Sequence, residues 1–341
     1  MRVGDLPTPA LVVDAGVLAA NLDVMRDALP GGRLRPYVKA HKCTEVAREQ
    51  VARGHAGLTV ATPREALGLA AVGLGGDLLL ANQVLDPVRL RALAECGARV
   101  TVAVDSDATV AAAAAAGIRE VLVDVAVGMP RCGCDPAEAG RIAERARAAG
   151  LTVRGIMGYE GHVVGRPDRA ERAAGVAAAT EILLAAHADV GGDVISSGGT
   201  TTYDLHTAAT EIQAGSYALM DTAYDAFGLP FTVAVGIIAT VLHVGSRHAV
   251  ADCGLKALGM DHGDPTVEDG DVWFCSDEHL TFAARGPLAV GDRVVVRPAH
   301  VDPTIALHEH LHVAEAVHRE AAVIDTWPID LRGWDPPGTR R

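Results

Sequence analysis

Between Leu34 and about Leu219 the chain alternates short aliphatic and β-branched runs with alanine-rich stretches whose apolar positions recur at helical spacing. The strand-like runs are Leu34–Lys39, Gly57–Val60, Asp77–Leu80, Arg99–Val104, Glu120–Val125, Val153–Met157, Asp193–Ser196 and a last one near Tyr217–Met220. The helical stretches between them include Thr44–Arg53, Pro63–Val72, Pro87–Cys96, Ala108–Ala116, Pro136–Ala149 and Arg169–Ala188. Such alternation is that of βα units around a parallel sheet, and eight of them predict a closed (β/α)8 TIM-type barrel rather than an open doubly wound sheet. The run Ala111–Ala116 needs no special role, since alanine is the best helix former.

After about Pro230 the texture changes. Val233–Val244, Arg247–Ala251, Asp271–Phe274, Arg293–Arg297, Leu311–Val313 and Ala321–Thr326 are short strand-like segments separated by Gly, Pro and Asp. This α/β chain is therefore expected to divide into a barrel over residues 1–230 and an all-β C-terminal domain over residues 231–341. The strand Ala10–Val13 precedes the first barrel run and is compatible with either part. The apolar stretch Phe231–Val244 is broken by Gly236 and His243, too short and too interrupted for a bilayer span, and reads as a buried strand.

Composition narrows the ligand. At 341 residues, 49% of them hydrophobic, the chain can bury a sizeable core. The formal charge of −13 is spread along the sequence, which argues against nucleic acid and anionic membranes and for a small molecule. The six cysteines have no framework spacing and read as reduced thiols. The first residues, Met1–Asp14, show no cationic segment followed by an apolar run and a small-residue cleavage site, so the expected compartment is cytoplasmic.

Active sites of such barrels lie at the C-terminal ends of the strands. Lys39 closes the first predicted strand, and a lysine in a partly apolar pocket becomes a usable amine for an imine. Lys42 falls at a helix start and is the weaker nucleophile; a solvated strand-end lysine is the plain alternative for either. Ser197-Gly198-Gly199-Thr200 follows the seventh predicted strand, and Gly215-Ser216-Tyr217 lies in the eighth region. Glycines let backbone N–H groups close on an anion and hydroxyls add donors, so the two turns together point to a phosphate site. Arg131 follows the fifth strand and Tyr159 the sixth, where a guanidinium and a ring face could meet a planar cofactor. In the second domain His300 and Asp302 stand two residues apart; on a strand both face one way and can share a divalent ion, although a surface pair is the default. His308, His310 and His312 also alternate, as surface or interface residues or as a second metal patch.

Together these motifs resemble the D-threonine aldolase and D-serine dehydratase family, whose barrel has the alanine racemase-like fold of pyridoxal 5′-phosphate (PLP) enzymes. The likeness runs through Leu6–Asp14, Arg35–Lys42, Tyr159–His162, Ser197–Thr202, Glu211–Asp221 and Pro298–Thr304. It implies that Lys39 is the Schiff-base lysine and that Ser197–Thr200 with Gly215–Tyr217 hold the cofactor phosphate. By the same likeness Arg131 and Tyr159 contact the ring, and His300 with Asp302 bind the metal. The implied reaction is metal-assisted retro-aldol cleavage of a small D-β-hydroxy amino acid to glycine and an aldehyde, by a homodimer. A D-serine or D-threonine dehydratase needs the same residues; a non-catalytic PLP-binding protein and a racemase are further alternatives on this barrel. Two departures bear on the choice. Family dehydratases carry cysteine where Asp302 stands, and a carboxylate suits Mn²⁺ or Mg²⁺ better than Zn²⁺. Family aldolases carry a histidine at the position of Gly165, for which His162 is the available substitute, and Gln213 replaces the arginine that racemase relatives turn to the pyridine nitrogen.

Overall fold

Thr62, Asp86, Ser106 and Asp168 each accept a hydrogen bond from a backbone N–H in the following turn, and so start the helices Pro63–Ala71, Pro87–Glu95, Asp107–Ala115 and Arg169–Val190. Pro63 and Pro87 sit just inside their helices, where a missing N–H costs nothing. The computed structural model describes residues 1–268 and 270–334; the end of the predicted second domain, 335–341, lies outside the described residues.

The first strand is β1 (Ala10–Asp14). The parallel sheet then runs in chain order through β2 (Leu58–Val60), β3 (Leu78–Leu80), β4 (Val100–Val104), β5 (Glu120–Asp124), β6 (Thr152–Met157), β7 (Val194–Ser197) and β8 (Glu211–Ile212). Two elements differ from the sequence expectation. The run Leu34–Lys39 is not a full strand: Leu34 bridges Ile212 and Tyr37 bridges Thr59, both parallel, before the chain turns into the 3-10 helix Val38–Ala40. Those bridges join β8 to β2 and close the ring. The last strand is Glu211–Ile212, whereas Ser216–Ala218 within the expected Tyr217–Met220 is a 3-10 turn. Tyr217 is fully buried with its ring centroid 5.7 Å from that of Phe231, so its apolar neighbourhood marks core packing rather than sheet pairing.

Side chains alternate along the barrel strands. Leu78, Leu80, Val102, Val104, Val121 and Val123 pack outward against the helices, while Leu79, Ala103, Leu122 and Met157 form a separate cluster with Tyr37. The helix Arg169–Val190 is long and apolar enough to cross a membrane, yet Val176, Ala179, Leu183, Ala186 and Val190 lie on one stripe and are buried, so that stripe belongs to the core.

A second compact unit comprises Met1–Met25, Ala40–Glu45 and Ser216–Asp330; the barrel unit comprises Arg26–Lys39, Val46–Gly215 and the described residues from Leu331 on. In the second unit β1 pairs antiparallel with β9 (Val235–Val244) and parallel with a later strand, so Ala10–Val13 is part of the β-rich sheet. The remaining strands are β10 (Ala249–Ala251), β11 (Thr266–Val267), β12 (Gly270–Cys275), β13 (Leu280–Ala284), β14 (Arg293–Arg297), β15 (His310–Ala314) and β16 (Val323–Pro328). Pairing runs β9–β14–β11–β12–β13–β10 and back to β9, a closed antiparallel barrel extended by β1, β15 and β16. Its core gathers Val3, Leu6, Val12, Ile238, Val295 and Ala314.

The N-terminal end of the parallel barrel is charged inside. Arg35 pairs with Asp77 and Glu211 at 2.9 Å each, and Arg154 reaches Asp77 at 2.8 Å and Thr101 at 2.7 Å. Burial alone would raise the Asp77 carboxyl, but hydrogen bonds from Arg154 and Arg35 outweigh it and hold the group at about 2. A depressed carboxylate stabilises the fold fully above its ordinary pKa and loses that contribution as pH falls through the folded value. We therefore expect about 2 kcal/mol of stability to vanish between roughly pH 4 and pH 2, and Asp77→Asn to flatten that slope. Denaturant midpoints across this range measure it; an unchanged slope in the variant would contradict the assignment.

Candidate active site

Lys39 ends a barrel segment, with its Nζ 5.3 Å from the centroid of the Tyr37 ring. Gly215 passes so close to Tyr37 that a Cβ would stand 2.3 Å from the Tyr37 carbonyl oxygen, so only glycine fits there. The same stretch carries Gln213, whose Nε2 donates to Ser196 Oγ at 2.8 Å.

On the other strands, Tyr159 follows β6 and its ring edge lies 3.5 Å from where a Cβ on Gly199 would be. The Arg131 guanidinium sits 5.4 Å from the centroid of the same ring. Tyr159 thus lies beside both the Ser197–Thr200 turn and the loop after β5. That loop returns on itself, with Ala126 N–H donating to the Cys134 carbonyl and Cys134 N–H to the Asp124 carbonyl, each at 2.9 Å. His162, in the short helix Gly161–Val164, is exposed and packs its ring on Gly128, where a Cβ would be 2.6 Å away and φ is +125°. Gly165 faces open space. Asp124 at the end of β5 is pushed up to about 6 by burial, against a 2.7 Å hydrogen bond from Gln83.

The Ser197–Thr202 turn rests on a carboxylate that sequence reading passed over. Glu160 is wholly buried and accepts from Thr202 Oγ1 at 2.6 Å, His206 Nε2 at 2.9 Å, Ser197 Oγ at 3.2 Å and Gly198 N at 3.4 Å. Burial alone would raise it, but the His206 hydrogen bond and charge keep the carboxyl below its usual range. Ser197 Oγ also donates to the Gly158 carbonyl at 2.7 Å, so its proton supports the turn from behind. The only sequence signal for Glu160 was its place between Tyr159 and His162.

In the β-rich unit His300 and Asp302 do not lie on a strand. His300 precedes the helix Val301–Ala306 and Asp302 is in its first turn, so the same-face argument from strand alternation fails; Pro303, tolerated in a first helical turn, is the signal that marks this start. Asp302 is buried, with Ser216 Oγ 3.5 Å from its Oδ1 and Lys42 Nζ donating to its carbonyl at 2.8 Å. Asp221 accepts from Val301 N–H at 2.8 Å, and burial pushes its carboxyl up to about 6. Tyr217 lies in this unit's core. Sequence reading also missed that Asp261 and His262 join His300, with ligand atoms mutually within 4.8 Å. His308 is buried and its Nε2 lies 2.9 Å from the Ala257 carbonyl, whereas His312 meets Thr326 Oγ1 at 3.0 Å. Those two histidines are accounted for by hydrogen bonds within the fold.

Deleting the Glu160 carboxylate takes the acceptor from the Thr202 hydroxyl and the His206 imidazole in a buried site, while Ser197 keeps the Gly158 carbonyl. Glu160→Ala is expected to cost about 3 kcal/mol by chemical denaturation and to weaken retention of an anion at the Ser197–Thr200 turn. Equal stability in the variant would show that the turn holds itself.

With that geometry in view, comparison with known proteins is direct. Residues 13–223 match the alanine racemase N-terminal domain and residues 234–314 a putative serine dehydratase domain. A D-threonine aldolase from Arthrobacter sp. is 34% identical, covering 96% of this chain and 93% of its own. A D-threo-3-hydroxyaspartate dehydratase from Delftia sp. (strain HT23) is 31% identical over 76% of this chain and 74% of its own. The crystal structure of D-threonine aldolase from Filomicrobium marinum superposes with a TM-score of 0.90 at 30% identity, over 98% of both chains. The chain therefore belongs to the D-threonine aldolase and D-serine dehydratase family of alanine racemase-fold, PLP-dependent lyases.

Proposed function

We propose that this chain holds PLP as a Schiff base on Lys39 and, with a divalent metal at His300 and Asp302, cleaves a D-threonine-like β-hydroxy amino acid to glycine and an aldehyde. The observation that carries the reading is the pairing of an imidazole and a carboxylate at the start of one helix, His300 and Asp302. A protein that merely carried PLP would have no use for that pair. The remaining residues fit the cofactor: an amine at Lys39, a ring at Tyr159 with Arg131 over it, and the glycine-rich Ser197–Thr200 turn.

When bound, PLP supplies a sink for the electron pair left at Cα and the metal supplies a Lewis acid for the β-hydroxyl. The protein's part is to hold and to move protons. The Lys39 amine would hold the cofactor covalently and would stand as a base beside Cα once freed. Glu160 and His206 hold the phosphate turn in place. A carboxylate at Asp302, in place of a thiolate, suits Mn²⁺ or Mg²⁺ better than Zn²⁺. His162, exposed beside Gly128, is the base we assign to the hydroxyl proton. We also place the protein in the cytoplasm as a homodimer, which size-exclusion chromatography tests for assembly.

One observation favours a second reading. The space around Gly165 is open, so no side chain there takes the hydroxyl proton; if His162 does not either, Lys39 removing the Cα proton with loss of hydroxide makes the chain a dehydratase.

Incubation with D-threonine and Mn²⁺ separates the two. Glycine and acetaldehyde are expected; 2-oxobutanoate and ammonia would make it a dehydratase, and no turnover of D-threonine, D-serine or D-3-hydroxyaspartate with or without metal would make it a carrier. Lys39→Ala is expected to lose the visible absorbance of bound PLP together with turnover. His162→Ala should lower aldol kcat about 100-fold or more if it is the base, and leave it unchanged if it is not.

A further inference from the structure

The segment just before Asp261 is tied to the helix that begins after His300. Gly259 bridges His300 in antiparallel sense, and its N–H donates to Thr304 Oγ1 at 2.9 Å. A Cβ on Gly259 would stand 2.2 Å from Pro303 Cγ, so the two segments touch main chain to ring. Thr304 Oγ1 in turn donates to the His300 carbonyl at 2.7 Å, and the Ala257 carbonyl faces His308 Nε2 at 2.9 Å. The segment is held at both ends of the helix, and Asp261 and His262 are delivered to the His300 ring.

Both Asp261 carboxylate oxygens lie near His300 Nδ1, at 2.9 and 2.8 Å. An ionised carboxylate can only accept, so Nδ1 carries the proton and the lone pair of the neutral ring is on Nε2. On the ring face, His262 stacks at 3.8 Å between centroids with 5° between planes. Three potential ligands within 4.8 Å invite the view that all of them bind one ion. The stacking argues against it. An imidazole coordinates along a lone pair in its own plane at about 2.1 Å, so an ion in the plane of one ring would lie far out of the plane of the other. Nδ1 of His300 is in any case occupied by Asp261.

We infer that Asp261 and His262 are positioning residues for His300: Asp261 fixes the tautomer by accepting the Nδ1 proton, His262 fixes the ring plane by stacking, and Nε2 is the atom presented to a divalent cation. The inference rests on the reading of His300 as a metal ligand. A carboxylate behind a ligating histidine also raises its basicity, and losing such a partner weakens metal binding about 10–100-fold.

Mn²⁺ titration of the PLP-loaded full chain, followed by the EPR signal of free Mn²⁺, tests this without reference to turnover. The side chains of Asp261 and His262 are 58% and 44% exposed, so substitutions there leave the core intact. Asp261→Ala is expected to weaken Mn²⁺ about 10–100-fold, and Asp261→Asn less, because its amide oxygen still accepts from Nδ1. His262→Phe keeps a ring to stack on but has no nitrogen, and is expected to stay within about threefold of the unaltered chain. A change of under about twofold in Asp261→Ala would overturn the inference. So would a loss in His262→Phe as large as in His300→Ala, which would make His262 a ligand. If His300→Ala itself binds Mn²⁺ unchanged, the metal assignment fails instead, and the two failures are thereby distinguished.

Discussion

Barrel closure depends on three main-chain hydrogen bonds. Arg35 N–H donates to the Ile212 carbonyl, Tyr37 N–H to Ala214 and Thr59 N–H to Pro36, at 2.8–2.9 Å. They turn a seven-stranded open sheet into a ring, and a closed ring leaves no strand edge exposed. Pro36 fits this seam because only its carbonyl is needed there. Lys39, which we propose as the cofactor anchor, follows the seam directly, and Gly215 passes against Tyr37 within it.

Above and below this seam the barrel interior is layered. The N-terminal layer is ionic, with Arg35, Asp77, Arg154 and Glu211 matched in charge and geometry. A middle layer of Leu79, Ala103, Leu122 and Met157 separates it from the polar C-terminal ends. There the titratable groups are perturbed in both directions: Asp124 is raised by burial and Glu160 is lowered by its partners despite burial. The ionic layer and the proposed site thus sit at opposite ends of the same strands, as barrels of this type arrange them.

Much of this was legible because period and punctuation agreed. Pro63 and Pro87 opened the predicted helices where the structure starts them, and the short aliphatic runs at Leu78–Leu80 and Val100–Val104 marked strands. The eighth strand was hidden because it is two residues long and begins with Glu211, a charge that reads as surface until Arg35 is seen beside it. Tyr217–Met220 misled for the opposite reason, as an apolar run buried without sheet pairing. In the site, residues carried by motifs were readable, whereas His206 and Asp261 were not. Each meets its partner, Glu160 or His300, across some forty residues, and no local pattern encodes such a meeting.

The seam has a geometric corollary for Lys39. Arg35 points into the ionic layer, Tyr37 packs with the apolar layer, and Val38 belongs to the outer, helix-facing core. Arg35 and Tyr37 are therefore two successive inward rungs, and the 3-10 turn Val38–Ala40 that follows them sets where the Lys39 amine stands. Inserting or deleting one residue between Leu34 and Tyr37 would keep every functional group in the sequence and still break the register between the bridges to Ile212 and Thr59.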